Sequence, residues 1–149
     1  RLSKRGPKGP ERNSWFTPAE QQTLMTLWTI FRSPLMFGGA LVDLDEATKR
    51  LLTNDAVLAV GLHGDGGSQL LREDSLCLWT AGDSRDEAVK YLALFNLGDE
   101  PLAATLALAD HGLPAATATD LWTGAAVALP DGRFAAEIVP HGCVYLRLS

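Results

Sequence analysis

The chain has 149 residues, of which 46% are hydrophobic and 21% charged, a composition that excludes a disordered protein and allows one or two small globular domains. The formal net charge of −5 is uneven, because residues 1–12 carry five bases and one acid and leave an acidic remainder. The acidic remainder predicts that the chain binds no nucleic acid, and the lack of a long apolar run predicts that it crosses no membrane. Its localisation stays unknown, with a secreted or periplasmic parent protein as one option.

The first predicted element is an amphipathic helix in residues 17–31, TPAEQQTLMTLWTIF. Thr17 is the predicted N-cap, Pro18 takes the first helical position, and Glu20 completes a capping box with Thr17. The apolar residues that follow recur every three or four positions and so form one stripe along the helix: Leu24, Leu27, Trp28 and Phe31.

A short strand is predicted next, at residues 35–37 within RSPLMFGGAL. Pro34 starts this apolar run, and Gly38 and Gly39 end it. A strand that is apolar on both faces is normally covered on both faces, as in a parallel sheet. One such strand cannot form a parallel sheet by itself, so we expect the chain to be the C-terminal piece of a larger α/β protein.

A second helix is predicted in DLDEATKRLLTN. Asp43 is its predicted N-cap, and Glu46 follows three residues later. The apolar side of this helix is made by Leu44, Leu51 and Leu52. The segment AVLAV, residues 56–60, is a further apolar segment that closes the helix–strand–helix unit.

After Gly61 the pattern changes. The stretch HGDGG, residues 63–67, is predicted to be a flexible break, and short apolar runs follow at intervals of about ten residues with turn residues between them. This spacing predicts an antiparallel β-sandwich, in which KYLALFNL, apolar almost throughout, is the central strand. The predicted fold class is therefore α+β, with the helix–strand–helix unit in residues 1–62 and the sandwich in residues 63–149.

No catalytic carboxylate pair is predicted. A hydrolase that works through two carboxyl groups holds them about 5 to 10 Å apart across the scissile bond. The acids here lie at a helix start, where they favour capping and dipole chemistry, or in loops and turns, where we expect solvated side chains. The loop and turn acids are Asp65, Asp83, Asp86, Glu87, Asp99, Glu100 and Asp131.

No metal or cofactor site is predicted either. Each histidine adjoins a glycine in a separate turn: His63, His111 and His141. Cys77 and Cys143 lie in apolar stretches without close spacing, which favours buried free thiols over a disulfide. Four tryptophans offer sugar-stacking surfaces, but most of them lie in or beside apolar runs, which favours core packing: Trp15, Trp28, Trp79 and Trp122.

The order of these segments closely resembles the family-27 glycoside hydrolases, the α-galactosidases and their relatives. In that family the end of a (β/α)8 barrel has a helix containing LW, a PL strand, and a helix ending in LTN before V-x-A-V, as residues 16–60 have here. YLALFNLGDEP, LWTG and VPHGCVYLRLS resemble strands and turns of the family's C-terminal antiparallel β-sandwich. The resemblance covers nearly all of residues 13–149, and only the GLHGDGG stretch departs from the family pattern.

The resemblance implies a retaining mechanism whose two catalytic Asp residues are expected upstream of Arg1, so no residue of this chain is predicted to be catalytic. Active sites of such barrels lie at the C-terminal ends of the strands. The residues at that end of the one barrel strand here are the candidate substrate-binding residues: Phe37, Gly38 and Gly39.

Two hypotheses follow from different classes of protein. In the first, the chain is the C-terminal part of a retaining glycoside hydrolase acting on α-galactosides, its partners being the sugar and the missing upstream barrel. In the second, it is a stand-alone β-sandwich module that binds carbohydrate or another partner without catalysis. The sugar and linkage stay open, because relatives use α-galactose, N-acetyl-α-galactosamine and β-arabinopyranose.

Overall fold

A computed structural model describes residues 13–149; the basic arm, residues 1–12, lies outside the described residues. Three α-helices precede eight antiparallel strands. The helices are Pro18–Ile30 (α1), Glu46–Leu52 (α2) and Asp55–His63 (α3). The strands are Gly64–Glu73 (β1), Leu76–Asp83 (β2), Asp86–Asn96 (β3), Leu102–Ala107 (β4), Ala118–Asp120 (β5), Ala126–Val127 (β6), Arg133–Ile138 (β7) and Cys143–Leu148 (β8). The predicted α+β class is confirmed, and the domain boundary between residues 62 and 63 stays a prediction.

The strands form two packed sheets. One has six strands in the order β1-β2-β3-β8-β5-β6, and the other pairs β4 with β7. The core between the sheets consists mainly of leucine side chains from β2, β3 and β8 and of Phe134 and Ile138 from β7. The opposite face of the large sheet packs on Ile30 of α1 and on Val57 and Val60 of α3. The large sheet is therefore covered on both faces.

The strand predicted to be central, KYLALFNL, forms most of β3 and is confirmed in that position between β2 and β8. Leu92 and Leu94 point into the core between the sheets, whereas Tyr91, Ala93 and Phe95 point toward the helices. Because both faces of β3 are buried, the strand needs apolar residues at successive positions. This burial explains why its sequence is continuous in apolar residues instead of alternating.

Helix α1 begins as predicted. The Thr17 hydroxyl accepts a hydrogen bond from the Glu20 amide at 3.2 Å, and the Glu20 carboxylate accepts one from the Thr17 amide at 2.6 Å. The predicted apolar stripe is only partly covered, since Leu24 is 37% and Phe31 44% exposed. The residues that α1 does bury are Met25, Thr26, Thr29 and Ile30.

The strand predicted at residues 35–37 is not present. These residues are irregular, and Met36 is 81% exposed. A strand exists only where a neighbouring strand accepts and donates its backbone hydrogen bonds, and no described strand lies beside this segment. The segment has the apolar composition of a buried strand, but residues 13–149 provide no neighbouring strand for it.

Two further local predictions were wrong. The N-cap of α2 is Asp45, whose carboxylate accepts from the Thr48 amide at 2.9 Å, whereas Asp43 ends a short 3-10 helix, Leu41–Asp43. The flexible break predicted at residues 63–67 is instead the end of α3 and the start of β1, which pairs with β2 from Gly64 onward. A glycine-rich stretch can be held in a strand when its partner supplies the hydrogen bonds, as β2 does here.

Candidate functional site

The three candidate substrate-binding residues line one pocket. Phe37, Gly38 and Gly39 border a cavity of about 200 Å³ between α1, the irregular segment after it, and α2. The other walls are mostly apolar side chains of the two helices and of the segment itself: Leu24, Met25, Trp28, Met36, Leu51 and Leu52. The structure thus brings the predicted residues together beside the helix face that is left partly uncovered.

Neither glycine is required here by a left-handed backbone, since Gly38 and Gly39 are not among the residues with positive φ. An ideal Cβ placed on Gly38 would have no neighbouring atom within 4 Å. A side chain at residue 38 would therefore meet neither strain nor a clash in this structure. The described structure therefore gives no steric or backbone reason for glycine at residue 38.

The chemistry of this pocket is restricted. None of its lining residues, all within the described part of the chain, is an Asp, Glu or His, so the pocket contains no group that transfers a proton near neutral pH. The pocket can supply shape, apolar contact and backbone hydrogen bonds to a ligand. It cannot by itself supply the acid and the nucleophile of a hydrolytic reaction.

Among residues 13–149 one carboxylate is buried, and the sequence prediction missed it. Asp83, expected in a solvated loop, ends β2 with 7% of its surface exposed. It accepts hydrogen bonds from Arg85 at 2.7 Å and from the Tyr91 hydroxyl at 2.5 Å. The pattern Asp-x-Arg after a strand was the available signal, because an Asp that ends a strand often binds the backbone two residues on.

Electrostatics stabilise this cluster in its charged form. Hydrogen bonding from the Arg85 guanidinium, supported by the Tyr91 hydroxyl, holds the pKa of Asp83 well below its usual range despite burial. Burial, followed by the hydrogen bond that its hydroxyl donates to Asp83, raises the pKa of Tyr91. A carboxylate that already accepts from two side chains has a structural role, because its lone pairs are occupied by the protein.

Polar side chains join the helices to the sandwich. The Asn54 side chain caps α3 by accepting from the Val57 amide at 3.1 Å, and it donates to the backbone carbonyls of Leu121 and Trp122 at 3.2 Å. The Trp122 indole N–H donates to the Thr26 hydroxyl at 3.0 Å. These contacts orient α1 and α3 on the large sheet.

The cysteines, the potential metal ligands and the tryptophans that the sequence analysis considered form no further functional site within residues 13–149. Cys77 and Cys143 are free thiols, as predicted, but only Cys77 is fully buried. Partial burial raises the pKa of Cys143. Residues 13–149 contain no group of three His, Cys, Asp or Glu side chains arranged to hold a metal ion. Three tryptophans are half-buried and one, Trp15, is 84% exposed. No helix in this described range is long and apolar enough to span a bilayer.

Known proteins are similar to both the helical part and the β-sandwich part of the chain. Residues 73–148 match the model of the α-galactosidase C-terminal β-sandwich domain. A family-27 β-L-arabinopyranosidase from Geobacillus stearothermophilus superposes with a TM-score of 0.88 and 40% identity, over 96% of this chain and 33% of that one. An α-galactosidase from Cyamopsis tetragonoloba is 29% identical over 136 residues, and one from Coffea arabica is 29% identical over 134. The chain covers 33% and 35% of the lengths of these two enzymes.

Proposed function

Since this chain belongs to the α-galactosidase C-terminal β-sandwich family and is the C-terminal portion of a family-27 glycoside hydrolase, we propose that it completes a retaining enzyme that cleaves α-galactosides without itself supplying a catalytic carboxylate. The hydrogen bonds of Asp83 support the part of this proposal that denies the chain a catalytic carboxylate. A retaining glycosidase needs two carboxyl groups about 5 to 5.5 Å apart that face the scissile bond. The one buried carboxylate of the described residues is bound by Arg85 and Tyr91 and is unavailable for that reaction.

The uncovered apolar surface supports a partner on the helical side. Most of the large apolar side chains that are exposed among the described residues belong to residues 15–62, while the sandwich contributes two, Leu97 and Val139. Several of them line the pocket at Phe37, and a large exposed apolar patch marks an interaction site. We propose that the upstream barrel implied by the family resemblance covers it, and that residues 35–37 become a strand when neighbouring strands supply hydrogen-bond partners.

The substrate-binding role is proposed for Phe37, Gly38 and Gly39. In barrels of this type the active site lies where the strands end, and these residues follow the segment that we expect to become a strand. The relatives named above act on galactosides or on a β-L-arabinopyranoside. L-Arabinopyranose has the ring hydroxyl configuration of D-galactopyranose without its hydroxymethyl group. We therefore propose a galacto-configured ring as the sugar that the completed site accepts.

A chimeric enzyme tests the proposed function. Residues 13–149 replace the matching C-terminal third of the Geobacillus β-L-arabinopyranosidase, and hydrolysis of nitrophenyl β-L-arabinopyranoside and nitrophenyl α-galactoside is measured. We expect a folded chimera that hydrolyses at least one of the two glycosides, and no turnover by the 149-residue chain alone. Turnover by the chain alone that is abolished by Asp83→Asn would overturn the proposal. A monodisperse but inactive chimera would favour the stand-alone module instead.

The substitution Gly38→Ala in that chimera tests the substrate-binding role. Because a Cβ at residue 38 meets no described atom within 4 Å and no backbone strain, we expect the substitution to leave the melting temperature of the 149-residue chain unchanged. The added methyl group would obstruct a sugar approaching the backbone and raise KM about tenfold. Gly61→Ala is the matched control, since its Cβ would make ordinary contact with Thr29 of α1, outside the pocket. A lower melting temperature with unchanged kinetics would show that Gly38 is structural.

A further inference from the structure

One wall of the pocket at Phe37 is a short helix with little burial of its own. Helix α2 has seven residues, none of which is fully buried, and it supplies Thr48, Leu51 and Leu52 to the pocket. A helix of this length is not stable by itself in water, because so few hydrogen bonds do not offset the cost of nucleation. The position of α2, and with it the width of the pocket, therefore depends on contacts with the rest of the chain.

The two ends of α2 are held differently. At the N-terminus the Asp45 carboxylate accepts from the amide and the hydroxyl of Thr48, so these contacts are local to the helix. Asn54 follows the last residue of α2 by two positions, and its side-chain nitrogen donates to the backbone carbonyls of Leu121 and Trp122, both at 3.2 Å. The Asn54 side chain thus ties the C-terminal end of α2 to the sandwich.

The carbonyls that Asn54 binds lie in a turn that is itself fixed. In this β5–β6 turn, residues 121–125, the Trp122 amide donates to the Asp120 carboxylate at 2.9 Å. The Leu121 amide donates at 2.8 Å to the carbonyl of Tyr145, a fully buried residue of β8. A turn held by its own side chain and by a neighbouring strand gives α2 a rigid point of attachment.

The same turn also contacts the opposite wall of the pocket. The Trp122 indole N–H donates at 3.0 Å to the hydroxyl of Thr26, which is fully buried on α1. Helix α1 forms that wall with three side chains: Leu24, Met25 and Trp28. One turn of the sandwich therefore holds α1 through Trp122 and α2 through Asn54.

We propose that Asn54 is a positioning residue for the substrate pocket, because it fixes α2 on the β5–β6 turn and so sets the separation of the two helices that enclose the sugar. It acts through α2, since it does not line the pocket and its side chain is already bound to the backbone at Val57, Leu121 and Trp122. The sandwich thereby determines substrate affinity, although none of residues 64–149 lines this pocket. The inference rests on the proposed function for the ligand, whereas the anchoring of α2 does not.

Amide hydrogen exchange in the 149-residue chain tests the anchoring without any catalysis. Asn54→Asp keeps the acceptor that caps α3, since Asp and Asn are equally good N-caps, but it loses the donor to the two carbonyls. We expect exchange of the Lys49 and Thr53 amides, which are hydrogen-bonded along α2, to accelerate about tenfold, the effect of losing one or two neutral hydrogen bonds. The Val57 amide of α3 should keep its exchange rate.

Two further variants separate anchoring from capping and from general destabilisation. Asn54→Ala removes both the donor and the cap, so it should accelerate α2 as Asn54→Asp does and should accelerate the Val57 amide as well. Phe134→Leu weakens the core between the sheets, which contains no residue of α1, α2 or α3, and should accelerate the Leu94 amide of β3 without a selective effect on α2. Equal acceleration of α2 and β3 in Asn54→Asp would indicate a loss of overall stability and would overturn the proposal, as would unchanged exchange in α2.

Kinetics of the chimeric enzyme measure the consequence for binding. We expect Asn54→Asp to raise KM about fivefold or more and to leave kcat within about twofold, because the pocket contributes binding and the upstream barrel contributes the carboxylates. Phe134→Leu should leave both constants unchanged. An active chimera whose KM is unaffected by Asn54→Asp rejects the positioning role alone. An inactive chimera combined with selective acceleration of α2 rejects the proposed glycosidase role and supports Asn54 as the residue that fixes this wall of the pocket.

Discussion

Asn96→Asp is expected to lower the free energy of unfolding by about 3 kcal/mol or more, because it leaves several buried polar groups without partners. Asn96 is 2% exposed at the end of β3. Its amide group donates to the carbonyls of Glu100 at 2.8 Å and Ile138 at 3.0 Å, and its side-chain oxygen accepts from the Gly98 amide at 2.9 Å. One side chain thereby ties the β3–β4 turn to β7 in the opposite sheet.

An aspartate at this position has the same shape but no donor. When charged, it faces carbonyl oxygens that repel it, and when protonated it donates one hydrogen bond in place of two. The loss should therefore grow as pH rises above the pKa of an ordinary Asp, about 4. Urea unfolding at pH 7 and pH 4 measures both quantities. Asn13→Asp, at an exposed position, is the matched control and should change the stability by less than about 0.5 kcal/mol.

The second large effect is expected at the Asp83 cluster, where Asp83→Asn should cost about 2 to 3 kcal/mol at pH 7. Each carboxylate oxygen accepts from side-chain donors, Arg85 on both oxygens and the Tyr91 hydroxyl on one of them. An amide group in place of either oxygen sets a donor against these donors. The cost stays below that of a fully buried pair, because the Arg85 side chain is 55% exposed and regains water.

The pH dependence of this loss has a defined sign. The pKa of Asp83 is lowered in the folded chain, so the folded state binds fewer protons than the unfolded state at acid pH. The contribution of Asp83 is therefore complete above its unfolded pKa of about 4 and is lost as pH falls toward the folded pKa. The difference between the unaltered chain and Asp83→Asn should be largest near neutral pH and smaller at pH 2 to 3.

Asp86→Asn is the matched control in the same hairpin. Asp86 is exposed and accepts from the Ala88 amide at 3.0 Å, so its replacement removes a local hydrogen bond without uncovering a buried donor. Chemical unfolding across pH 2 to 7 compares the two variants. A pH profile for Asp83→Asn that runs parallel to that of the unaltered chain would contradict the linkage to Asp83.

The candidate site was only partly accessible to sequence reasoning. The resemblance pointed to Phe37, Gly38 and Gly39, and the structure places them around one pocket. A larger cleft of about 790 Å³ beside this pocket was not foreseen, because its walls come from segments as distant along the chain as Gln21, Arg50 and Trp122. No local pattern indicates that such residues meet. Trp122 was assigned to core packing, and its indole N–H does bind within the protein.

The sequence by itself determined the elements whose signals are local. The capping box at Thr17 and the short apolar runs separated by turn residues predicted α1 and the strands of the sandwich, because capping and alternation depend on residues only a few positions apart. Tertiary structure alone decided the features that need a distant partner. Residues 35–37 have no neighbouring strand within residues 13–149 and are irregular. Asp83 is buried because Arg85 and Tyr91 satisfy its charge, and Asn96 binds the carbonyl of Ile138 in the opposite sheet. A hydrogen bond between distant residues forms only when the fold brings the donor and the acceptor together. The local sequence around either residue does not show that they will meet.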